Sequence, residues 1–199
     1  MNRVILNVIR HGKTKCNEQR LYCGKSDVSL SENGVKELIE VKQKVEYPKC
    51  NLNFTSGAKR ANETFELLYD GVSYEKRFGF FEFDFGDFEM KSYDMLKENK
   101  DYIDWITDET KTVKCPNGES KIEFYIRITK ALKELVEEII NNNEKEAVLI
   151  CHGGVIGTIL ELFYKRSKDF YSMQPSCGRG YRLEVKVDKD IEINILGEI

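Results

Sequence analysis

Short apolar runs alternate along the chain with segments of helical periodicity, and this alternation constrains the fold more than any other feature. Residues 4–9 are β-branched and almost entirely apolar, as expected for a buried central strand. Residues 52–55 and 147–151 are shorter runs of the same kind. Strands separated by helices form a mostly parallel sheet with helices on both faces. We therefore predict a three-layer α/β/α fold that forms a single domain over residues 1–199.

The helices are predicted from the spacing of their side chains and from residues that cap helix ends. The clearest helix covers 121–140, where Ser120 and Glu123 match a capping box. Six side chains recur there at intervals of three or four and predict its buried face: Ile122, Ile126, Thr129, Leu132, Val136 and Ile139. Other helices are predicted over 31–45, 58–68, 93–106 and 155–163, and a terminal hairpin over 181–187 and 191–196.

Composition excludes several classes of protein. Hydrophobic residues make up 41% of the 199 positions and charged residues 33%, which is typical of a globular protein. The net charge of −3 lacks the basic excess of a general nucleic-acid binder. No apolar run approaches the roughly 20 residues that span a bilayer, and the N-terminal apolar run is too short to predict a signal peptide. We expect a cytoplasmic protein without nucleic-acid or membrane partners, whose six cysteines are free thiols.

The chain has only two histidines, and both directly follow a predicted buried strand. His11 and His152 are each followed by glycine, Gly12 and Gly153, which lets a ligand approach the backbone closely. Ligands of α/β sheets bind beyond the carboxyl ends of the strands, so both imidazoles are expected at that edge. A lone histidine is more often a structural residue, but two in the same context favour a functional pair.

Two arginines follow the same logic. Arg10 precedes His11, and Arg60 begins the helix after the second predicted strand. Guanidinium groups that converge with imidazoles form a small positive pocket suited to a phosphoryl group. Taken by itself, Arg60 would be interpreted as a solvated helix residue. No H-E-x-x-H or H-x-x-E-H spacing occurs, so neither a metal nor a cofactor is predicted.

An acid is predicted in the aromatic segment 81–85. Three phenylalanines alternate there with Glu82 and Asp84, so on a strand-like segment the two carboxyl groups face one way. The plainer interpretation is an amphipathic edge. However, apolar surroundings raise the pKa of a carboxyl group, and a protonated acid near neutral pH is what a leaving oxygen needs. Glu82 and Asp84 are both candidates on this ground.

Six short motifs follow one another between residues 10 and 154. They are R-H-G-K-T-K-C-N at 10–17, G-K-S-D-V-S-L-S-E-N-G at 24–34, S-G-A-K-R-A-N-E-T at 56–64, F-E-F-D-F-G-D-F-E at 81–89, G-E-S at 118–120 and H-G-G at 152–154. In content and order this series resembles the histidine phosphatase superfamily, which includes the cofactor-dependent phosphoglycerate mutases.

The resemblance implies a phosphoglycerate mutase-like fold and a distinct chemical role for each site residue. His11 would attack phosphorus and become phosphohistidine, and Glu82 rather than Asp84 would protonate the leaving oxygen and then activate water. No metal is implied, because cationic side chains take its place. The groups implied to hold the phosphoryl oxygens are Arg10, Arg60, Asn17 and His152.

The resemblance implies a phosphatase or a mutase. Family mutases carry longer insertions over the pocket, so this compact chain favours hydrolysis of a small-molecule phosphomonoester. Residues 22–24, 101–105 and 116–120 are similar to the alpha-ribazole phosphatases of cobalamin assembly, which makes alpha-ribazole 5′-phosphate a candidate substrate. A broad-specificity sugar or nucleotide monophosphatase fits equally. The alternatives are a phosphoglycerate mutase and a non-catalytic phosphate-binding module. Segments 90–115 and 165–180 are expected to select the substrate.

Four positions depart from the family pattern. Gly57 and Ala58 stand where Pro-Leu is usual before Arg60, which is expected to loosen the loop that aims this arginine. Lys13 and Cys151 are also unusual next to their histidines, and both are expected to border the pocket.

Overall fold

A six-stranded mixed sheet forms the centre of the protein. The computed structural model describes residues 2–166 and 170–199. In this part of the chain the strands are β1 (Asn2–Arg10), β2 (Leu52–Thr55), β3 (Glu75–Lys76), β4 (Glu146–Cys151), β5 (Gly180–Val187) and β6 (Ile191–Glu198). Their order across the sheet is β3-β2-β4-β1-β5-β6. The first four of these are mutually parallel, and β5 and β6 add the predicted antiparallel hairpin at one edge.

Seven α-helices connect or flank the strands in the described residues. They are α1 (Lys15–Glu18), α2 (Glu32–Lys44), α3 (Lys59–Leu68), α4 (Tyr93–Leu96), α5 (Lys100–Ile106), α6 (Lys121–Asn141) and α7 (Gly153–Phe163). Ser31 caps α2, and Ser120 with Glu123 forms the predicted capping box of α6. None of the helices described is long and apolar enough to cross a membrane.

Two apolar clusters, one on each face of the sheet, make the fold three-layered. Alternate side chains of a strand point to opposite faces, so Leu149 belongs to the cluster under α6 and α7 while Val148 and Ile150 belong to the other. Leu38 of α2 and Phe65 of α3 pack in this second cluster. The predicted α/β/α architecture is therefore confirmed.

The buried face of α6 differs from the prediction in its first half. Ile122 and Ile126 are 40% and 62% exposed, whereas Phe124 and Ile128 are buried. Apolar residues occur on both sides of this half of the helix, so periodicity alone does not choose between them. Packing does, because the ring of Phe124 meets that of Phe83 with 5.3 Å between centroids.

Two further segments depart from the predicted secondary structure. Residues 93–106 form two short helices, α4 and α5, because Asn99 caps a new helix and accepts a hydrogen bond from the Tyr102 amide. Residues 81–85 pair with no strand and lie between two 3₁₀ turns, Phe78–Phe80 and Gly86–Phe88.

The carboxyl ends of β1, β2 and β4 lie side by side and define where a site can form. Arg10 is opposite Cys151, and Thr55 is opposite Ile150. The residues that come after these strands stay in register, since the amide of His11 donates to the Cys151 carbonyl at 3.0 Å. The sheet therefore brings together residues that are far apart in sequence, as the strand-end rule predicts.

Candidate active site

The two histidines lie against each other beyond the strand ends. His11 follows β1 and His152 follows β4, and their ring centroids are 5.1 Å apart at an interplanar angle of 65°. His11 is 5% exposed and His152 is completely buried. The expectation that both imidazoles lie at one edge of the sheet is thus met in the geometry.

His11 presents a bare nitrogen. Its Nδ1 lies 2.6 Å from the carbonyl oxygen of Gly12. Because a carbonyl only accepts, this contact places the proton on Nδ1 and leaves a lone pair on Nε2. Burial lowers the pKa of His11 well below its usual 6.5, and the charges of Arg60 and Arg10 lower it further. The ring is therefore neutral at pH 7 and nucleophilic at Nε2.

His152 is held by a residue that the sequence did not single out. Its Nε2 is hydrogen-bonded to the hydroxyl of Ser56, which follows β2, at 2.8 Å. Burial, and then the charge of Arg60, lowers its pKa well below 6.5. Its Nδ1 is buried with no hydrogen-bond partner among residues 2–166 and 170–199. A buried nitrogen of this kind can bind a ligand atom.

The two arginines give the site its positive charge. The Arg10 Nη1 donates to the Pro175 carbonyl at 2.9 Å, while its buried Nε has no partner within the described chain. Arg60 is 1% exposed and donates to the carbonyls of Ser26 at 3.0 Å and Gly24 at 2.8 Å. In the described residues no carboxylate forms an ion pair with either guanidinium. Their charge is therefore available to an anion.

The loop before Arg60 is firmly held despite its departure from the family pattern. Gly57 adopts a φ of +88°, and its carbonyl accepts a hydrogen bond from Asn62 at 3.0 Å. The Ala58 amide donates to the Ser56 hydroxyl at 3.4 Å. The positive φ favours glycine at position 57, and a Cβ there would also meet the ring of the exposed Phe78 at 2.5 Å. The expected loosening of this loop is not observed.

Asn17 contributes an amide donor. Its side-chain oxygen accepts from the amide of Thr14 at 2.9 Å and from the Thr14 hydroxyl at 3.0 Å, in the capping box of α1. These contacts fix the orientation of the carboxamide, because a backbone N–H must meet the oxygen. The NH₂ group of Asn17 remains for a ligand, and the side chain lines the same cavity as His11.

The carboxylate of Glu82 packs against the N-terminal end of α7. Its two oxygens accept hydrogen bonds from the amides of Phe83 and Gly154, each at 2.9 Å. Burial raises the pKa of its carboxyl above the usual 4.5, and it outweighs these hydrogen bonds and the nearby arginines, which act in the opposite direction. Asp84, the competing acid, pairs instead with Lys25 at 2.7 Å and does not line the cavity.

An ion pair from α6 holds the loop that carries Glu82. Arg127 Nη2 binds Glu119 Oε1 at 2.6 Å. The same guanidinium donates to the carbonyls of Phe81 at 2.9 Å and Glu82 at 3.2 Å, and Glu119 accepts from the Asp84 amide at 2.9 Å. The irregular segment 81–85 therefore has a fixed conformation although no strand supports it.

Substituting Gly154 with alanine is expected to displace the Glu82 carboxylate. A Cβ at this position would stand 2.3 Å from Oε1 of Glu82, which real contacts do not permit. We expect kcat of any reaction that uses Glu82 to fall by about 100-fold, as for other displacements near 1 Å. The melting temperature should change little, because alanine is the better helix former. The matched control is Gly197→Ala, whose Cβ would meet nothing within 4 Å; loss of activity in both variants would contradict the argument.

A cavity of about 400 Å³ opens at this site. Its wall includes the polar groups Arg10, His11, Asn17 and Glu82 together with Gly153 and Gly154, whereas Arg60 and His152 lie outside the wall. Much of the remaining wall is aromatic and includes Tyr22, Phe83, Phe85, Trp105, Phe124 and Tyr125. The arrangement joins an anion-binding corner to a large apolar chamber.

Both segments expected to select the substrate reach this cavity. Trp105, Ile106 and Lys111 come from 90–115, and Phe170, Tyr171 and Gln174 come from 165–180. Residues 167–169 of the second segment lie outside the described residues. Met173 instead packs in the core, and Arg179 lines a different cavity. The expectation for Lys13 and Cys151 was wrong: Lys13 pairs with Glu37, Cys151 is buried in β4, and neither lines the cavity.

The cysteines fit the expectation of free thiols. All six are unpaired with one another. Burial raises the pKa of Cys23, which lines the cavity, to about 12, so this thiol is protonated and weakly nucleophilic at neutral pH.

Comparison with known proteins agrees with this geometry. Residues 6–186 match the histidine phosphatase superfamily (branch 1). A 2,3-bisphosphoglycerate-dependent phosphoglycerate mutase of Bradyrhizobium diazoefficiens is 27% identical over 180 residues, 85% of each chain. Among solved structures, an Escherichia coli protein provisionally assigned as an alpha-ribazole-5′-phosphate phosphatase superimposes with a TM-score of 0.82, at 22% identity over 98% of this chain and 96% of that one. A phosphoglycerate mutase from Bacillus anthracis gives 0.79, at 21% identity over 98% and 92%. The chain therefore belongs to the histidine phosphatase superfamily.

Proposed function

We propose that this chain is a phosphatase that hydrolyses a small-molecule phosphomonoester through a phosphohistidine intermediate. The observation that carries the proposal is the neutral His11, whose free Nε2 lies in one cavity with the half-buried Glu82. Two arginines act on this histidine, and neither has a carboxylate partner among the described residues. A nucleophile, a cationic anion site and a proton donor are the parts that phosphoryl transfer through a covalent intermediate requires.

In the first step, Nε2 of His11 attacks phosphorus and the bond from phosphorus to the ester oxygen breaks. The protonated Glu82 carboxyl gives its proton to the departing oxygen, so the alcohol leaves neutral. Arg10 and the NH₂ group of Asn17 bind the phosphoryl oxygens from the cavity wall. Arg60 and His152 lie close to His11 but outside the cavity wall, and they stabilise the same charge.

In the second step, the phosphohistidine is hydrolysed. The Glu82 carboxylate takes a proton from a water molecule, whose oxygen attacks phosphorus as the P–N bond breaks. Inorganic phosphate leaves, and both His11 and protonated Glu82 are regenerated. Because the product is phosphate rather than an isomerised ester, the reaction is that of a phosphoric monoester hydrolase.

The aromatic chamber is large enough to favour a substrate ester with a large alcohol group. A volume of about 400 Å³ lies within the roughly 300–1,000 Å³ of sites for drug-sized ligands and exceeds the need of a three-carbon phosphoglycerate. Aromatic rings bind planar rings by offset or edge contacts. Alpha-ribazole 5′-phosphate, which joins a ribose to a planar base, is our candidate substrate, and the name of one structural relative supports it.

A phosphoglycerate mutase is the second candidate, favoured by the name of the Bradyrhizobium relative. The test is a phosphate-release assay with p-nitrophenyl phosphate, alpha-ribazole 5′-phosphate and 3-phosphoglycerate, the last also with a bisphosphoglycerate primer. We expect phosphate release from the first two substrates, inhibition by vanadate, and full activity in EDTA. Strong isomerisation with little phosphate release would establish the mutase instead. Binding of phosphate without turnover of any ester would establish a non-catalytic module.

A further inference from the structure

A polar cluster interrupts the apolar wall of the cavity. It consists of Lys111, Tyr125 and Glu161, which we call the distal cluster. The Lys111 ammonium donates to the Tyr125 hydroxyl at 3.1 Å and to Glu161 Oε1 at 3.3 Å, and the hydroxyl donates to Glu161 Oε2 at 2.7 Å. All three residues line the cavity. The sequence gives no signal for this group, because its members are 14 to 50 positions apart.

The distal cluster lies at a distance from the reacting groups. Gly154, which binds Glu82, and Glu161 both belong to α7 and both line the cavity, as does Thr158 between them. Positions 154, 158 and 161 share one face of a helix, and seven residues of helix advance about 10 Å. The cluster therefore faces the alcohol part of a bound ester rather than its phosphoryl group.

The loop before α6 fixes Lys111 in this place. Lys111 has a φ of +64°, which is uncommon for a residue with a side chain. The conformation is held by the Ile122 amide, which donates to the Lys111 carbonyl at 2.9 Å, and by Asp108, whose carboxylate accepts from the amides of Thr110 at 2.9 Å and Val113 at 2.7 Å. Strained backbone that neighbouring contacts enforce is a feature of many functional sites.

The charges of the cluster indicate what it binds. Lys111 and Glu161 neutralise each other, so the pair offers no net attraction to a second anion. Toward the described residues, the ammonium uses two of its three donors and the carboxylate two of its roughly four lone-pair positions. The free donor and acceptors suit groups that both donate and accept, as hydroxyls do. Carboxylates that accept from ribose hydroxyls are common in nucleotide sites.

We infer that the distal cluster is a specificity-determining subsite for the hydroxyl groups of a sugar in the substrate's alcohol. The inference rests on the proposed phosphatase function and narrows its substrate class to sugar-bearing esters with a planar ring against the aromatic wall. It excludes a carboxylate or second phosphate at this position. Lys121, whose ammonium lies 5.3 Å from the centroid of the Trp105 ring, is the cation that a second anion would use instead.

The experiment compares two inhibitors that differ only in the hydroxyls. AMP and 2′,3′-dideoxyAMP compete with p-nitrophenyl phosphate, and the ratio of their inhibition constants measures the hydroxyl contact. We expect wild type to bind AMP roughly 10- to 100-fold more tightly, as for a hydrogen bond to a charged group. In Glu161→Gln the ratio should fall to within a few-fold of one, and in Tyr125→Phe to an intermediate value. Glu134→Gln, an equal charge change on the exposed face of α6, should keep the wild-type ratio.

The outcomes separate this inference from the proposed function. Wild type that fails to hydrolyse p-nitrophenyl phosphate contradicts the phosphatase. Wild type that hydrolyses it but binds both nucleotides equally overturns the subsite alone. A Glu161→Gln variant that keeps the wild-type ratio also overturns the subsite. A third result would do the same: tighter binding of 3-phosphoglycerate by Glu161→Gln together with weaker binding by Lys121→Gln. That pair of changes would mark an anion site. If Glu161→Gln fails to fold, the Tyr125→Phe ratio decides.

Discussion

Replacing His11 with alanine is expected to lower kcat/KM for p-nitrophenyl phosphate by about 10⁴- to 10⁶-fold, the range seen when an enzyme loses its nucleophile. No other histidine in the described residues lines the cavity, because His152 lies outside its wall. The folded state should persist, because the hydrogen bond that His11 gives up is to the carbonyl of its neighbour Gly12. Phosphate release and thermal melting of both proteins provide the measurement.

The covalent intermediate gives this prediction a second readout. Wild type quenched during turnover should carry one phosphoryl group that is stable in alkali and labile in acid, as expected for phosphohistidine, and the His11→Ala variant should carry none. An activity within tenfold of wild type, or an acid-stable phosphoryl group, would exclude His11 as the nucleophile. In that case Glu82 and Cys23 would be the first alternatives to test among the side chains on the cavity wall.

The core of the site was predictable because it depends on strand ends. His11 and His152 come directly after strands whose sequence is unmistakable, and parallel strands bring the residues beyond their carboxyl ends to a common edge. Arg60 stands at the first turn of α3, after β2, for the same reason. Local sequence fixes these positions within one or two residues, so their convergence needs no knowledge of tertiary packing.

The residues that hold the site were not predictable, because they act through contacts between distant elements. Arg127 lies on α6 and reaches 46 positions back to the carbonyl of Phe81. Ser56 reaches 96 positions forward to His152. A serine, or an arginine on an amphipathic helix, is unremarkable by its sequence context alone. Only the packing of α6 against the segment 81–85 gives Arg127 its carbonyl partners.

In the segment 81–85 the sequence pattern predicts a local conformation that the structure does not have. Alternating phenylalanines predict a strand-like segment with one apolar face. In the structure Phe83 and Phe85 do pack together, with ring centroids 4.9 Å apart, but Phe81 turns to the other cluster and lies 5.9 Å from the ring of His152. Hydrogen bonds to Arg127 and Glu119 replace the strand pairing that the pattern suggested. Glu82 still lines the cavity, although its backbone is not part of a strand. Its role as the acid stays a prediction.

Replacing Glu82 with glutamine is expected to lower kcat for an alkyl phosphate by about 10²- to 10⁴-fold, the usual contribution of a general acid or base. The amide has the shape of the carboxyl group but cannot give a proton to an alkoxide. The raised pKa of the Glu82 carboxyl gives wild type a further signature. The protonated form is lost as pH rises through that pKa, so the rate should fall on the alkaline side. In Glu82→Gln this dependence should disappear. A kcat profile from pH 4 to 9 measures both effects, and Asp84→Asn, which removes an acid outside the cavity, should retain the wild-type profile.

The leaving group determines which of the two catalytic steps is slowed in the Glu82→Gln variant. p-Nitrophenolate departs without protonation, so the first step of this substrate should survive the change, whereas hydrolysis of the phosphohistidine still lacks its base. Mixing the variant with p-nitrophenyl phosphate should therefore release one nitrophenolate per chain in a rapid burst, followed by a slow steady rate. An alkyl ester should show no burst, because its first step needs the acid. Equal losses with both esters and no burst would mean that Glu82 only maintains the shape of the cavity, and that its bonds to the amides of Phe83 and Gly154 are its whole role.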